Sequence, residues 1–191
     1  GAHMKGWPRL VEEGRIELVA ACDVKEESIK KLETKFDVSF EKTFADYEDM
    51  LEQVDLDVVS VATPNAFHAP AAKAGFEAGC HVYCEKPLAP TPDQVRELMA
   101  ARDAAGKKLM TGQHQRFIGK HKALKAFADD GLFGEVYYAR STMLRRRGAP
   151  AWGGFLKKEL SGGGPLIDIG VHVLDLTLWM MDFPKPVAVT G

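Results

Sequence analysis

The sequence predicts an α/β fold: a parallel sheet covered by helices, then a smaller α+β segment with an open, mainly antiparallel sheet. Three observations carry this. Short apolar runs at 16–22, 56–63 and 81–84 alternate with charged, helix-spaced stretches, the pattern of strands joined by crossover helices. The runs are continuously apolar rather than alternating, as in strands buried on both faces. Beyond 112–118 the rhythm changes, and a long run at 135–147 suits antiparallel pairing.

Taken in order, 2–13 reads as a short helix stopped by Gly14, a C′ residue. The 16–22 strand closes on Asp23. Residues 26–36 place Ile29, Leu32 and Phe36 at helical spacing, and 44–54 do the same with Tyr47, Met50 and Leu51. The 56–63 strand ends in Pro64-Asn65, before an alanine-rich helix at 66–79. The 81–84 strand leads to Glu85-Lys86-Pro87, and a helix follows over 91–105 with Thr91 as N-cap and Pro92 in its first turn. A short strand covers 109–112, a helix 118–130 and a loop 149–158. A last helix spans 168–181, and a closing strand follows Pro186. The domains are expected at 1–115 and 116–191.

Composition excludes several classes. The hydrophobic share is 46% and the formal net charge −2, with no basic stripe suited to nucleic acid. No apolar stretch approaches the roughly 20 residues of a membrane span. Cys22, Cys80 and Cys84 lack metal spacing and read as buried thiols of a reducing, cytoplasmic compartment. Arg145-Arg146-Arg147 is either a solvated strand end or a phosphate or substrate contact.

Ligands of an open parallel sheet bind beyond the carboxyl ends of its strands. Asp23 stands at such an end, placed to hydrogen-bond a dinucleotide ribose or to cap the 26–36 helix. Its charge favours NAD over NADP, although Lys25 leaves NADP open. The Thr63-Pro64-Asn65 loop with His68 would border a nicotinamide, or simply start a helix. No G-x-G-x-x-G follows a first strand, although Gly1 could be its last glycine. A Rossmann-type sheet with its first strand missing is therefore expected, with about 10–20 residues absent upstream. Gly1-Ala2-His3-Met4 reads either as a cloning remnant or as native sequence.

Lys86, at a strand's carboxyl end, could stabilise a developing alkoxide; Pro87 would hold it inward, in a turn that admits a cis bond. The bland alternative is a surface Glu85–Lys86 pair. Asp168 and His172, four apart after Gly162-Gly163-Gly164, would share a helix face with Asp175 beyond. His172 could take a hydroxyl proton with Asp168 orienting it, or Asp168 could cap a helix over a satisfied histidine. No third metal ligand is apparent.

In order, Cys22-Asp23-Val24, Thr63-Pro64-Asn65 with His68, Glu85-Lys86-Pro87, Gln115-Arg116-Phe117 and Asp168-Ile169-Gly170-Val171-His172 with Asp175 resemble the glucose–fructose oxidoreductase and inositol dehydrogenase family over almost the whole chain. The resemblance implies an NAD(P)-binding domain followed by an α/β domain used in homodimers or homotetramers. It implies catalytic or substrate-binding roles for Lys86, Asp168 and His172, and sugars, inositols or polyols as substrates. It also implies cofactor contacts from Asp23, Thr63, Pro64, Asn65, His68, Glu85, Lys86 and Gln115, and from the 145–153 loop through Trp152. The chain is expected to be a fragment whose C-terminal domain continues past Gly191. Two other activities fit the same residues: NAD-dependent glycoside cleavage, and a non-catalytic binding or assembly module.

Overall fold

The computed structural model describes residues 3–144, 146–148 and 154–190, so Arg145, Trp152 and the rest of 149–153 lie outside the described residues. The chain divides into two compact units. The first comprises Gly1–Ala62, Ala69–Cys84 and Val95–Met110, and the second Thr63–His68, Glu85–Gln94 and Thr111–Gly191.

In the first unit, α1 (Trp7–Glu12) ends where Gly14 turns left-handed at φ 64°. The N–H groups of Gly14 and Arg15 return to the Val11 and Leu10 carbonyls, satisfying the last turn. β1 (Ala20–Cys22) pairs in parallel with β2 (Lys42–Phe44), with Cys22 opposite Phe44. Their crossover is α2 (Glu26–Phe36), which buries Ile29 to 3% exposure and stops at left-handed Asp37. Asp46 caps α3 (Tyr47–Gln53) by accepting the Glu48 N–H at 2.8 Å. The helix expected from Phe44 therefore begins three residues later, and Phe44 closes a strand. Three residues are too few to show the two-residue alternation that marks a strand.

β3 (Val58–Val61) is followed by α4 (His68–Glu77), β4 (His81–Cys84), α5 (Pro92–Ala105) and β5 (Leu109–Thr111). Strand order is β3-β4-β5, and β3 and β4 are parallel with Val61 opposite Cys84. The parallel architecture expected from the sequence is present as two sheets, β1-β2 and β3-β4-β5, which no strand joins among the described residues. The core sits between α4, α5 and β3-β4. Ala72, Phe76, Val82, Cys84 and Leu98 are all at most 2% exposed there, and each large side chain contributes on the order of 2 kcal/mol by leaving water. Met4 is also buried, and the His3 ring stacks at 4.4 Å on Tyr83.

The second unit holds α6 (Gly119–Asp129), the short α7 (Lys158–Ser161), a widened helical segment at Leu166–Gly170 and α8 (Val171–Met180). The antiparallel sheet expected here is not formed among the described residues. Segments 136–144 and 184–190 carry no ladder bonds. Tyr137 is 89% and Val187 99% exposed. A β pattern in the side chains supplies only half of a strand; the backbone groups need a partner, and these segments have none within the described chain. Among the described residues no helix is long and apolar enough to cross a membrane.

Candidate active site

β4 delivers the chain into Glu85-Lys86-Pro87, and the Lys86–Pro87 peptide bond is cis. The Lys86 side chain is 15% exposed. Its Nζ donates to Asp168 Oδ1 at 2.8 Å and to the Asp168 carbonyl at 2.7 Å, which engages two of the three ammonium N–H bonds. Glu85 anchors the turn by accepting the Lys86 N–H. Gly112 passes so close that a Cβ there would come within 3.0 Å of Glu85 Oε2 and 3.3 Å of its Cα. A side chain at 112 would make Glu85 give by a few tenths of an ångström.

Asp168 is presented by the Gly162-Gly163-Gly164 turn. Gly162 adopts φ 76°, and a Cβ there would meet Pro90 at 3.2 Å, so the position demands glycine twice over. Asn65 Nδ2 donates to the Ser161 carbonyl at 2.8 Å just before this turn. The chain then enters a π-helical segment, Leu166–Gly170, rather than the α-helix expected to begin at Asp168. Such widened turns let backbone carbonyls serve partners outside the helix, as Asp168 does for Lys86. The expected Asp168–His172 interaction is replaced. Asp168 holds the Lys86 ammonium, and no hydrogen bond joins it to the imidazole.

His172 is 9% exposed, and its buried Nδ1 has no hydrogen-bond partner, which corrects the reading of a satisfied core histidine. Burial first, then the nearby Lys86 and His114 charges, push its pKa down from 6.5 to about 4. Glu85 and Asp168 oppose that shift more weakly. At neutral pH the ring is therefore uncharged and able to accept a proton. The His114 ring meets it edge to face at a centroid distance of 4.7 Å. His114 went unnoticed in the sequence because nothing in its spacing relates it to a residue 58 positions away.

Asp175, one turn past His172, chelates Arg116 through both carboxylate oxygens, and Arg116 lies 5.1 Å from the Phe183 ring centre. That hydrogen-bonded pair raises the Arg116 pKa. A cavity of about 820 Å³ opens on Asp168, lined also by Arg146, Arg147, Lys158, Ser161 and Gly163. Its size is that of a small-molecule site.

Several expected cofactor contacts are placed differently. His68 is 1% exposed, with Nδ1 2.7 Å from the Pro87 carbonyl and Nε2 2.8 Å from that of Thr63. Neither nitrogen is left for a ligand, so His68 is corrected to a brace between two loops. Replacing it with Ala strands both carbonyls and opens a cavity, and is expected to cost roughly 2–4 kcal/mol of stability, read as a lower thermal midpoint. Gln115 turns its amide to His114 Nε2 at 3.2 Å. Thr63 and Pro64 are exposed. Asp23 is exposed at the carboxyl end of β1, its Oδ1 accepting the Lys25 N–H at 2.8 Å; Lys25, not Asp23, occupies the N-cap of α2. Cys84 is fully buried in the core.

Two family models match the chain, one after the other. Residues 2–113 match the oxidoreductase family with an NAD-binding Rossmann fold, and 121–191 match the GFO/IDH/MocA C-terminal domain. The chain is 43% identical over 169 residues to D-glucoside 3-dehydrogenase of Escherichia coli K12, covering 88% of this chain and 48% of that protein. It resembles the structure of aldose-aldose oxidoreductase from Caulobacter crescentus complexed with glycerol (TM-score 0.75, 29% identity, 92% of this chain and 52% of that one). It also resembles levoglucosan dehydrogenase in complex with NADH and levoglucosan (TM-score 0.67, 25% identity, 85% and 44%). The chain spans about half the length of the relatives it matches, or less. Both halves match in order, and with them the Lys86 turn and the Asp168–His172 segment fall within the matched residues: the chain belongs to the GFO/IDH/MocA oxidoreductase family.

Proposed function

We propose that this chain carries the hydride-transfer site of an NAD-dependent dehydrogenase acting on a CH–OH carbon of a sugar, inositol or related polyol. One observation carries the reading: a Lys86 ammonium held by Asp168 lies close enough to act on a buried, uncharged imidazole whose Nδ1 is unpartnered. In oxidation the carbinol O–H proton passes to His172. The third N–H of Lys86 stabilises the oxygen as it gains negative charge. Asp168 keeps the ammonium in place and also lines the 820 Å³ cavity, which has room for a polyol although neither Lys86 nor His172 is among its lining residues. The nicotinamide, when bound, supplies the acceptor for the hydride leaving carbon. The relatives' names support the substrate class, D-glucosides and levoglucosan among them.

The residues present suit NAD at its ribose end. Asp23 offers an exposed carboxylate beyond β1, which accepts ribose hydroxyls and repels a 2′-phosphate. In the intact protein, Asp23→Ala is expected to raise the Kd for NAD about tenfold and to narrow its preference over NADP, measured by titration. The exposed apolar residues of the unpaired segments, Tyr137 and Leu144 among them, support a homo-oligomer. Three free thiols support a reducing, cytoplasmic setting.

The direct test is NADH formation by the intact protein with a panel of free sugars, O-alkyl glycosides and inositols. Saturable NAD binding with no net hydride transfer to or from any of them would overturn the assignment. Aglycone release without net NADH would move it to glycoside cleavage.

A further inference from the structure

The ring of His172 has no hydrogen bond to hold it. Its Nδ1 is buried and unpartnered, and Asp168, the expected orienting group, is occupied by Lys86. A general base must nevertheless point its lone pair in one direction. The one aromatic contact made by this ring among the described residues is the edge-to-face packing of His114 at 4.7 Å, with an interplanar angle of 70°.

His114 is itself secured from both sides. Gln115, the next residue, donates its amide to His114 Nε2. Arg116, two further on, is chelated by Asp175 of α8. That ion pair fastens the short helix His114–Phe117 to the same helix that carries His172. His121 adds a bond from Nδ1 to the Gln115 carbonyl at 2.9 Å. His114, Gln115 and Arg116 thus form a small frame that sets one imidazole edge to face against another.

We infer that His114 is the positioning residue of the site: its ring edge, framed by Gln115 and the Arg116–Asp175 pair, fixes the plane of the His172 imidazole. The inference rests on the reading of His172 as proton acceptor. The contact is an edge-to-face aromatic pair, of the kind that favours one relative ring orientation. It has a second consequence. The charged groups acting on His172 are Lys86 and His114, which disfavour its protonation, and Glu85 and Asp168, which favour it; Asp175, on its own helix, is neutralised by Arg116. Without His114, burial and Lys86 remain to oppose protonation.

The test compares His114→Ala and His114→Phe in the intact protein by polyol oxidation kinetics and by NMR titration of the His172 ring. His114→Ala is expected to lower kcat roughly tenfold with KM little changed, because the base is disordered while substrate contacts remain. His114→Phe restores most of that kcat, since the ring edge is kept. In both variants the His172 titration moves up; in His114→Ala lost burial adds to the rise, whereas in His114→Phe, where the packing is kept, the rise reports the electrostatic effect of His114 alone. Wild-type kcat in His114→Ala with an unmoved His172 titration would overturn the inference. Should the Ala variant fail to fold, His114→Leu, which keeps bulk without an aromatic ring, takes its place, and wild-type kcat there would overturn the inference. If the wild-type protein oxidises no polyol, the functional assignment fails, whereas the His172 line width and titration still settle whether His114 orders that ring.

Discussion

Lys86→Ala is expected to reduce kcat/KM for polyol oxidation by about 10² to 10³, the usual cost of deleting one preorganised group from a developing oxyanion. The Kd for NAD should stay within about threefold, because the proposed role of the ammonium is at the substrate oxygen and not at the ribose. The effect has two parts that a second variant separates. Lys86 is 15% exposed and paired with an Asp168 side chain that is 19% exposed, so its removal also leaves a carboxylate without its partner in a partly desolvated site. Lys86→Met keeps most of the buried stem and loses only the charge; if it is as slow as Ala, the loss belongs to charge and not to packing. Asp168→Asn keeps the shape and weakens the grip on Nζ, and should fall between wild type and the Lys86 variants. Turnover of Lys86→Ala within threefold of wild type, with native secondary structure, would remove Lys86 from the chemistry.

The parts of this arrangement that were legible in the sequence are those set by neighbours along the chain. The limits of α2 and of β4 follow from local signals: helix-spaced apolar residues in one, an apolar run closed by Glu85-Lys86-Pro87 in the other. Lys86, Asp168 and His172 could be named because of their residue types and their places after a strand and a glycine turn. What could not be read was their mutual geometry. Asp168 and His172, four apart, share a face only if the helix between them is regular, and the π segment at Leu166–Gly170 breaks that condition. Asp168 is consequently spent on a lysine 82 positions earlier. His68 misled for a related reason: its partners are two backbone carbonyls, and every residue type offers those. The 136–144 run is strand-like in composition yet forms no ladder among the described residues, because composition carries no information about which strand lies alongside.

His172→Ala is expected to cost about 10² to 10⁴ in kcat for oxidation, the range for loss of a positioned general base, and its pH behaviour distinguishes this role from a structural one. With a pKa near 4, the imidazole is in its accepting form throughout the neutral range. Oxidation should therefore be insensitive to this group from about pH 8 to 5 and fall below about 4. Reduction needs the protonated ring, so its rate should rise about tenfold per pH unit as pH is lowered toward 4. Stability moves with the same proton. The ring titrates near 6.5 once unfolded and near 4 when folded, so between those values the unfolded chain binds a proton that the folded chain does not. Folding stability contributed by the buried neutral ring is then lost as pH falls from 6.5 to 4, and is level below that. His172→Asn removes the titrating group, and its denaturation midpoint should lose this part of the acid dependence while oxidation stays slow at every pH. Acid sensitivity of stability unchanged in His172→Asn would place the lowered pKa elsewhere. A reduction rate flat from pH 7 to 5 would mean that His172 does not carry the transferred proton.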